Sequence, residues 1–287
     1  MTMKTTCRLA IVSLLLLLAA PYATFAQAKI NTKKVRIADL STRTTKVVLA
    51  GNDMRDEALK SEVSARWRIS PYEFCSAEEY NSIKESTDYY FLLFARSEEK
   101  KYKGILTLTL MKGGKYGAQD PQKRPVEVAS MPFCSTEFPS GREMTMLPAL
   151  IDIIQDYASK AIMSDKAGYS GFDIYSRNIS KAGHKRIYFS EEDLVPGIEG
   201  PFSKAYFDED MVIAPEEEAD SVFNAGTYNT LVSYVVAPFD PINGSPCYKM
   251  LIDAQTHELY YFKLHRIKSG RWSGFLPKDI KVISSSR

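Results

Sequence analysis

The chain has 287 residues, 45% of them hydrophobic and 11% aromatic, with 37 basic and 35 acidic side chains. Lys4 and Arg8 are the only charges among the first 28 residues, so residues 29–287 balance to zero net charge. That balance excludes the concentrated basic face of a nucleic-acid-binding protein.

The first 28 residues divide into the three parts of an export signal. Lys4 and Arg8 form the positive leader, Ile11 to Ala20 is an apolar run broken only by Ser13, and a small-residue exit comes next. Both Thr24-Phe25-Ala26 and Ala26-Gln27-Ala28 fit the small-x-small cleavage rule; the preferred cut precedes Gln27, with a cut after Ala28 as the alternative. The run is about half the roughly 20 apolar residues that cross a bilayer, so a cleaved signal is expected rather than an anchor. The only nearby cysteine, Cys7, precedes the run, where no lipoprotein acylation can use it. No later stretch approaches spanning length, and the mature chain is expected in the periplasm or secreted, without a transmembrane span. Export permits disulfides, and Cys75, Cys134 and Cys247 remain after cleavage. A Cys75–Cys134 bridge is one arrangement; buried free thiols are the favoured one.

Residues 27–45 are polar, with only Val35 to Ile37 reading as a short strand. Lys46 to Ala50 reads as a buried strand, and Gly51-Asn52-Asp53 caps a helix carrying Leu59, Val63 and Trp67. Ile69 to Cys75 is a second strand, and Ser76 with Glu79 forms a capping box before a short helix. Asp88 to Arg96, Tyr102 to Met111 and Val126 to Cys134 read as three further strands. Ser140-Gly141-Arg142-Glu143 is again a capping box, and the next helix sets Leu147, Leu150, Ile151, Ile154, Ala158 and Ala161 at intervals of three to four. Residues 164–183 read as a linker with a short strand near Ile174.

The second half repeats the order. Strands are expected at Arg186 to Phe189, Met211 to Ala214 and Thr230 to Ala237, helices at Phe202 to Phe207 and Pro215 to Phe223. Cys247 to Ile252 and Leu259 to Leu264 make a hairpin, with His257 in its turn. The halves align without a gap at an offset of 139, Val48 matching Ile187, Phe74 matching Ile213 and Leu92 matching Leu231. The expected fold is therefore α+β (or α/β), in two similar modules at 29–163 and 184–287. Each is strand–helix–strand–helix–strand followed by antiparallel strands. The export signal, the stretch WRISPYEFCSAEEY and the hairpin CYKMLIDAQTHELYYFKL resemble uncharacterised exported proteins of the Bacteroidota. The strand–helix order also resembles the N-terminal domain of periplasmic TolB, at the level of fold alone. Neither resemblance implies a reaction.

No motif carries chemistry. There is no C-x-x-C or H-E-x-x-H, and His184, His257 and His265 are scattered, so no metal ligand is assigned and His257 is expected in solvent. Gly168-Tyr169-Ser170-Gly171 and Ser273-Gly274 miss the hydrolase G-x-S-x-G spacing. Gly113-Gly114-Lys115-Tyr116-Gly117 opens no helix and is not a P-loop. Cys75 ends a strand before a helix, yet the first module holds no histidine to activate it, so a packing role is expected. The acidic stretch from Asp208 to Asp220 fits no calcium loop and reads as a solvated face. Tyr89-Tyr90-Phe91 could line a pocket, though alternating core faces account for them, and the 112–125 loop is the candidate for a rigid exposed inhibitor loop. The sequence thus nominates no catalytic residue, metal, ligand-binding residue or cofactor. The expected function is a non-enzymatic binding module with another envelope protein as partner and no nucleic acid. The alternative is a hydrolase with its site between the modules.

Overall fold

The computed structural model describes residues 32–96, 99–100, 102–198, 200–268 and 272–287, so the expected export signal at residues 1–28 lies outside the described residues. The described residues open with a helical turn, α1 (Lys33–Arg36), where a strand at Val35 to Ile37 was expected. The turn continues to Leu40, which puts Ile37 and Leu40 on one side, both fully buried; an extended strand would have sent them apart.

β1 (Thr44–Leu49) leads to Asn52, whose side chain accepts from the Arg55 amide at 3.0 Å and caps α2 (Asp53–Arg66). Leu59 and Val63 point from α2 into the core. β2 (Tyr72–Ser76) pairs parallel with β1, and Ser76 caps α3 (Ala77–Ile83) by accepting from the Glu79 amide. β3 (Tyr89–Arg96) lies parallel on the other side of β1. β4 (Ile105–Lys112) and β5 (Val126–Ser135) then add antiparallel, giving the order β2-β1-β3-β4-β5. The long α4 (Arg142–Met163) comes next, its Gly141 amide donating to the Glu143 carboxylate at 2.9 Å.

The second module repeats this plan with β6 (Arg186–Ser190), α6 (Pro201–Tyr206), β7 (Met211–Ala214), α7 (Glu216–Asn224), β8 (Thr230–Val236), β9 (Pro246–Asp253) and β10 (Leu259–Arg266). Its sheet order, β10-β9-β8-β6-β7, is the same as the first, with the same parallel and antiparallel pairings. Even an irregularity recurs. Val128 is the unpaired residue of a bulge between Glu127 and Ala129 in β5, and Tyr260 holds the corresponding place between Leu259 and Tyr261 in β10. The fold is α+β, in two similar five-stranded modules.

The gapless offset needs correction inside this plan. Thr45 pairs with Tyr72 and Tyr90, as Ile187 pairs with Met211 and Leu231. Partners stand 27 residues apart from β1 to β2 (72 − 45) but 24 from β6 to β7 (211 − 187), so no single offset holds in every strand: the 139 that matches Tyr72 to Met211 cannot also match Val48 to Ile187. A continuous apolar run such as KVVLA carries no alternation, so its pattern fits several registers equally.

Residues 164–183 are ordered: α5 (Asp165–Ser170) and two 3-10 turns bury Phe172, Tyr175 and Ile179. Ile174 sits in the first of those turns rather than in a strand, because Phe172 and Tyr175, three apart, share a face only in a helical turn. Asn178 donates to the Leu259 carbonyl at 3.1 Å along β10. A last helix, α8 (Pro277–Ser286), was not foreseen.

α4 carries the predicted apolar stripe and also buries Met146, Ala149, Ile153 and Tyr157 on its other faces. Asp152, Gln155, Asp156, Ser159 and Lys160 make up its remaining, polar side, so α4 is interior over most of its circumference. One continuous cluster joins it to the first sheet and to Val232, Tyr234, Met250 and Ile252 of the second. The opposite face of the second sheet (Ile187, Phe189, Leu251, Tyr261) has its own cluster with Ile280 and Ile283 of α8. No helix among the described residues is long and apolar enough to cross a membrane.

Candidate functional site

The modules are joined by polar contacts as well as by the shared core. Arg142, at the start of α4, is 4% exposed and reaches into the second module. It donates to Asp193 at 3.0 Å, Asp220 at 2.8 Å and the Ser233 carbonyl at 3.0 Å, beneath the Tyr234 ring. Burial pushes the carboxyls of Asp220 and Glu216 above their ordinary range against the pull of Arg142. The acidic stretch is thus not uniformly solvated. Glu216 and Asp220 lie one turn apart on α7 and face the guanidinium, and Asp208 and Asp210 receive Arg287. Glu209, Glu217 and Glu218 are exposed, as expected.

His257 also departs from the expected solvated turn. Its Nδ1 lies 2.6 Å from Asp152 of α4, and its ring stacks on Phe223 at 5.6 Å. Asp152 also takes Arg66 at 3.1 Å, so the hairpin turn is folded down onto the first module. His184 is fully exposed beside Asp210.

A second buried polar group pins α8. Lys249 of β9 and Asp279 of α8 form an ion pair with both side chains at 0% exposure. Asp279 also accepts from the Leu276 amide at 2.9 Å and the Tyr261 hydroxyl at 3.1 Å. Burial pushes its carboxyl up, but Lys249, the Leu276 amide and Lys263 outweigh burial and hold it below the usual range. Beside them, neither ring nitrogen of His265 has a hydrogen-bond partner among the described residues. Burial first, then Lys249, pulls its pKa down to about 4. A histidine held neutral in this way stabilises the fold above its ordinary value near 6.5, and loses that contribution as pH falls toward 4. Chemical denaturation of His265→Leu at stepped pH should therefore show a shallower loss of stability between pH 6.5 and 4 than the parent chain. An unchanged slope would show that His265 is not the group responsible.

The three cysteines among the described residues are free and buried, so Cys75 and Cys134 are not bridged. Cys75 packs with Val48 and Phe91 beneath α3, and burial pushes its thiol up; Cys134 rises to about 12 and Cys247 to about 11. None is a thiolate nucleophile at neutral pH. Tyr90 and Phe91 are fully buried core residues on opposite faces of β3, and Tyr89 before them is partly buried. The 112–125 loop is tethered by the Gly113 and Gly114 amides to the carbonyls of Tyr89 and Lys84, and exposes Tyr116. A Cβ on Gly113 would stand 2.1 Å from the Ser86 carbonyl oxygen, so only glycine fits there.

What the sequence did not single out is an exposed aromatic surface where the modules meet. Phe138 comes just after β5 and Phe239 just after β8; their rings meet at 4.7 Å although they are 73% and 62% exposed. The Phe239 amide donates to Ser135 Oγ at 3.0 Å, which ties the two loops together, and a Cβ on Gly104 would stand 2.9 Å from the Pro238 ring. Trp272 and Ile242, also exposed, share hollows with Phe239 of about 590 and 160 Å³. Glu137, Asp240 and Glu192 rim these hollows, with Lys103 as the basic residue among their described linings. Phe138 has φ +50°, a left-handed conformation that costs a non-glycine residue about 1–2 kcal/mol. Such strain is retained only where the surroundings impose it.

No family model, no curated protein and no solved structure matches this chain.

Proposed function

We propose that this is an exported, non-catalytic binding protein, and that the Phe138–Phe239–Ile242–Trp272 surface docks a protein partner. Strain at Phe138 carries the reading: the backbone is held in an unfavourable conformation and the result is a phenyl ring in water rather than in the core. Contiguous exposed aromatic residues rimmed by polar ones mark protein interfaces, and aromatic anchors supply most of their binding energy. The acidic rim suits a partner with an apolar anchor ringed by basic residues. The hydrolase alternative would want acids converging with a histidine or cysteine between the modules. Asp152 and His257 do meet between the modules, beside a hollow of about 280 Å³ that Asp156, Lys160 and Glu258 also line; there Asp152 is already engaged by Arg66 and the His257 ring is stacked on Phe223, which favours a structural role for the pair.

Photo-crosslinking in the native host tests the reading. A benzophenone amino acid at Phe239 should give one dominant adduct, and the same group at Met54, exposed on α2, should give none. Phe138→Ser should abolish that adduct. Equal adducts at both positions, or none at either, would remove this surface from consideration.

A further inference from the structure

A different site lies on the β5–β10 side of the junction, independent of the docking surface. Tyr102, Tyr157, Phe172, Tyr248 and Phe262 come from separate segments of the chain to line one pocket of about 340 Å³. Pockets of roughly 300–1,000 Å³ hold small ligands. The rings form a continuous wall: Tyr102 stacks on Tyr248 at 6.0 Å, Tyr248 meets Phe262 at 5.7 Å, Phe262 meets Phe172 at 5.4 Å, and Phe172 meets Tyr157 at 4.8 Å.

The charges in this wall are uneven. Glu127 and Asp173 both line the pocket and are exposed, and neither carboxylate has a hydrogen-bond or ion-pair partner among the described residues. Burial, then the Glu127 carboxylate, pushes the phenols of Tyr102 and Tyr157 upward, which places that charge within electrostatic reach of both rings. The basic lining residue is Lys33, whose ammonium stands 5.7 Å over the Tyr157 ring. That contact is an intramolecular example of what the wall accepts.

We propose that this pocket binds an organic cation, an ammonium group carrying a small apolar body. Aromatic faces present the negative end of their quadrupole, and an ammonium over them is favoured most where water is excluded. Carboxylates accept hydrogen bonds and donate none, so two of them turn away an anionic ligand and supply the counter-charge for a cation. A neutral sugar could stack on the same rings, but it would leave both carboxylates without a counter-ion.

Titration calorimetry on the protein recovered from its native host tests this with choline, its uncharged isostere 3,3-dimethylbutan-1-ol, and glucose. Choline should bind, and the isostere should bind about tenfold more weakly or worse, the loss of one desolvated cation–π contact. Glu127→Gln, at an exposed position, should leave the melting temperature unchanged and weaken choline by about 3–30-fold. Tyr248→Leu should weaken it similarly. Equal binding of the isostere, tighter binding of glucose, no choline heat up to about 50 mM, or indifference to Glu127→Gln would each overturn the proposal.

Discussion

Asp279→Ala should cost about 3–5 kcal/mol of folding free energy, the loss expected when one partner of a fully buried ion pair is removed. The substitution leaves the Lys249 ammonium at 0% exposure without its carboxylate, and also strands the Leu276 amide and the Tyr261 hydroxyl. Urea denaturation provides the measurement, with the parent slope retained if only stability changes. The double variant Lys249→Met/Asp279→Leu should recover most of the loss, because replacing both charges by apolar groups removes the desolvation cost together with the attraction. A single variant as stable as the parent would mean that α8 does not depend on this pair.

Arg142→Met should have an effect of similar size, about 3–5 kcal/mol, for a related reason. Asp193, with its side chain 5% exposed, would keep only the Ser233 hydroxyl and the Val235 amide as donors. Asp220 and Glu216, already raised by burial, would lose the guanidinium that opposes the rise. Arg142→Lys should restore only part of the loss, since one ammonium cannot reach Asp193, Asp220 and the Ser233 carbonyl with the geometry of a planar fork. Guanidinium midpoints for the three proteins decide the matter. Full rescue by lysine would reduce Arg142 to a generic positive charge.

The sequence revealed the elements better than their relations. Leu147 to Ala161 announced α4 because a buried helix face repeats every three to four residues, a signal local to the element. Asn52 and Ser76 announced their helices because a cap is made within one turn. The two-module plan was legible for the same reason, as a rhythm of local signals. Register was not: in KVVLA every residue is apolar or stem-forming, so hydrogen bonding to β2 decides which residue of β1 matches which of β6. Residues 164–183 looked like a linker because Gly, Ser, Asp and Lys dominate their composition, while their order comes from Phe172, Tyr175 and Ile179, three anchors in a polar stretch. His257 read as a turn residue because Asp152 and Phe223, which enclose it, lie far away in sequence. The candidate sites were hidden in the same way. Phe138 and Phe239 meet only because β5 and β8 bring two loops together, and Glu127 joins Tyr248 only across the module junction.

The shared interior has a thermodynamic corollary. Val232, Tyr234, Met250 and Ile252 contribute to the cluster that surrounds α4, so either half released alone would show water an oily plate in place of a finished exterior. Melting in a calorimeter should accordingly be a single cooperative event for the two modules together, with no temperature at which one half persists after the other has gone. A protease nick between Met163 and His184 would yield two fragments that remain associated, each the solvent shield of the other.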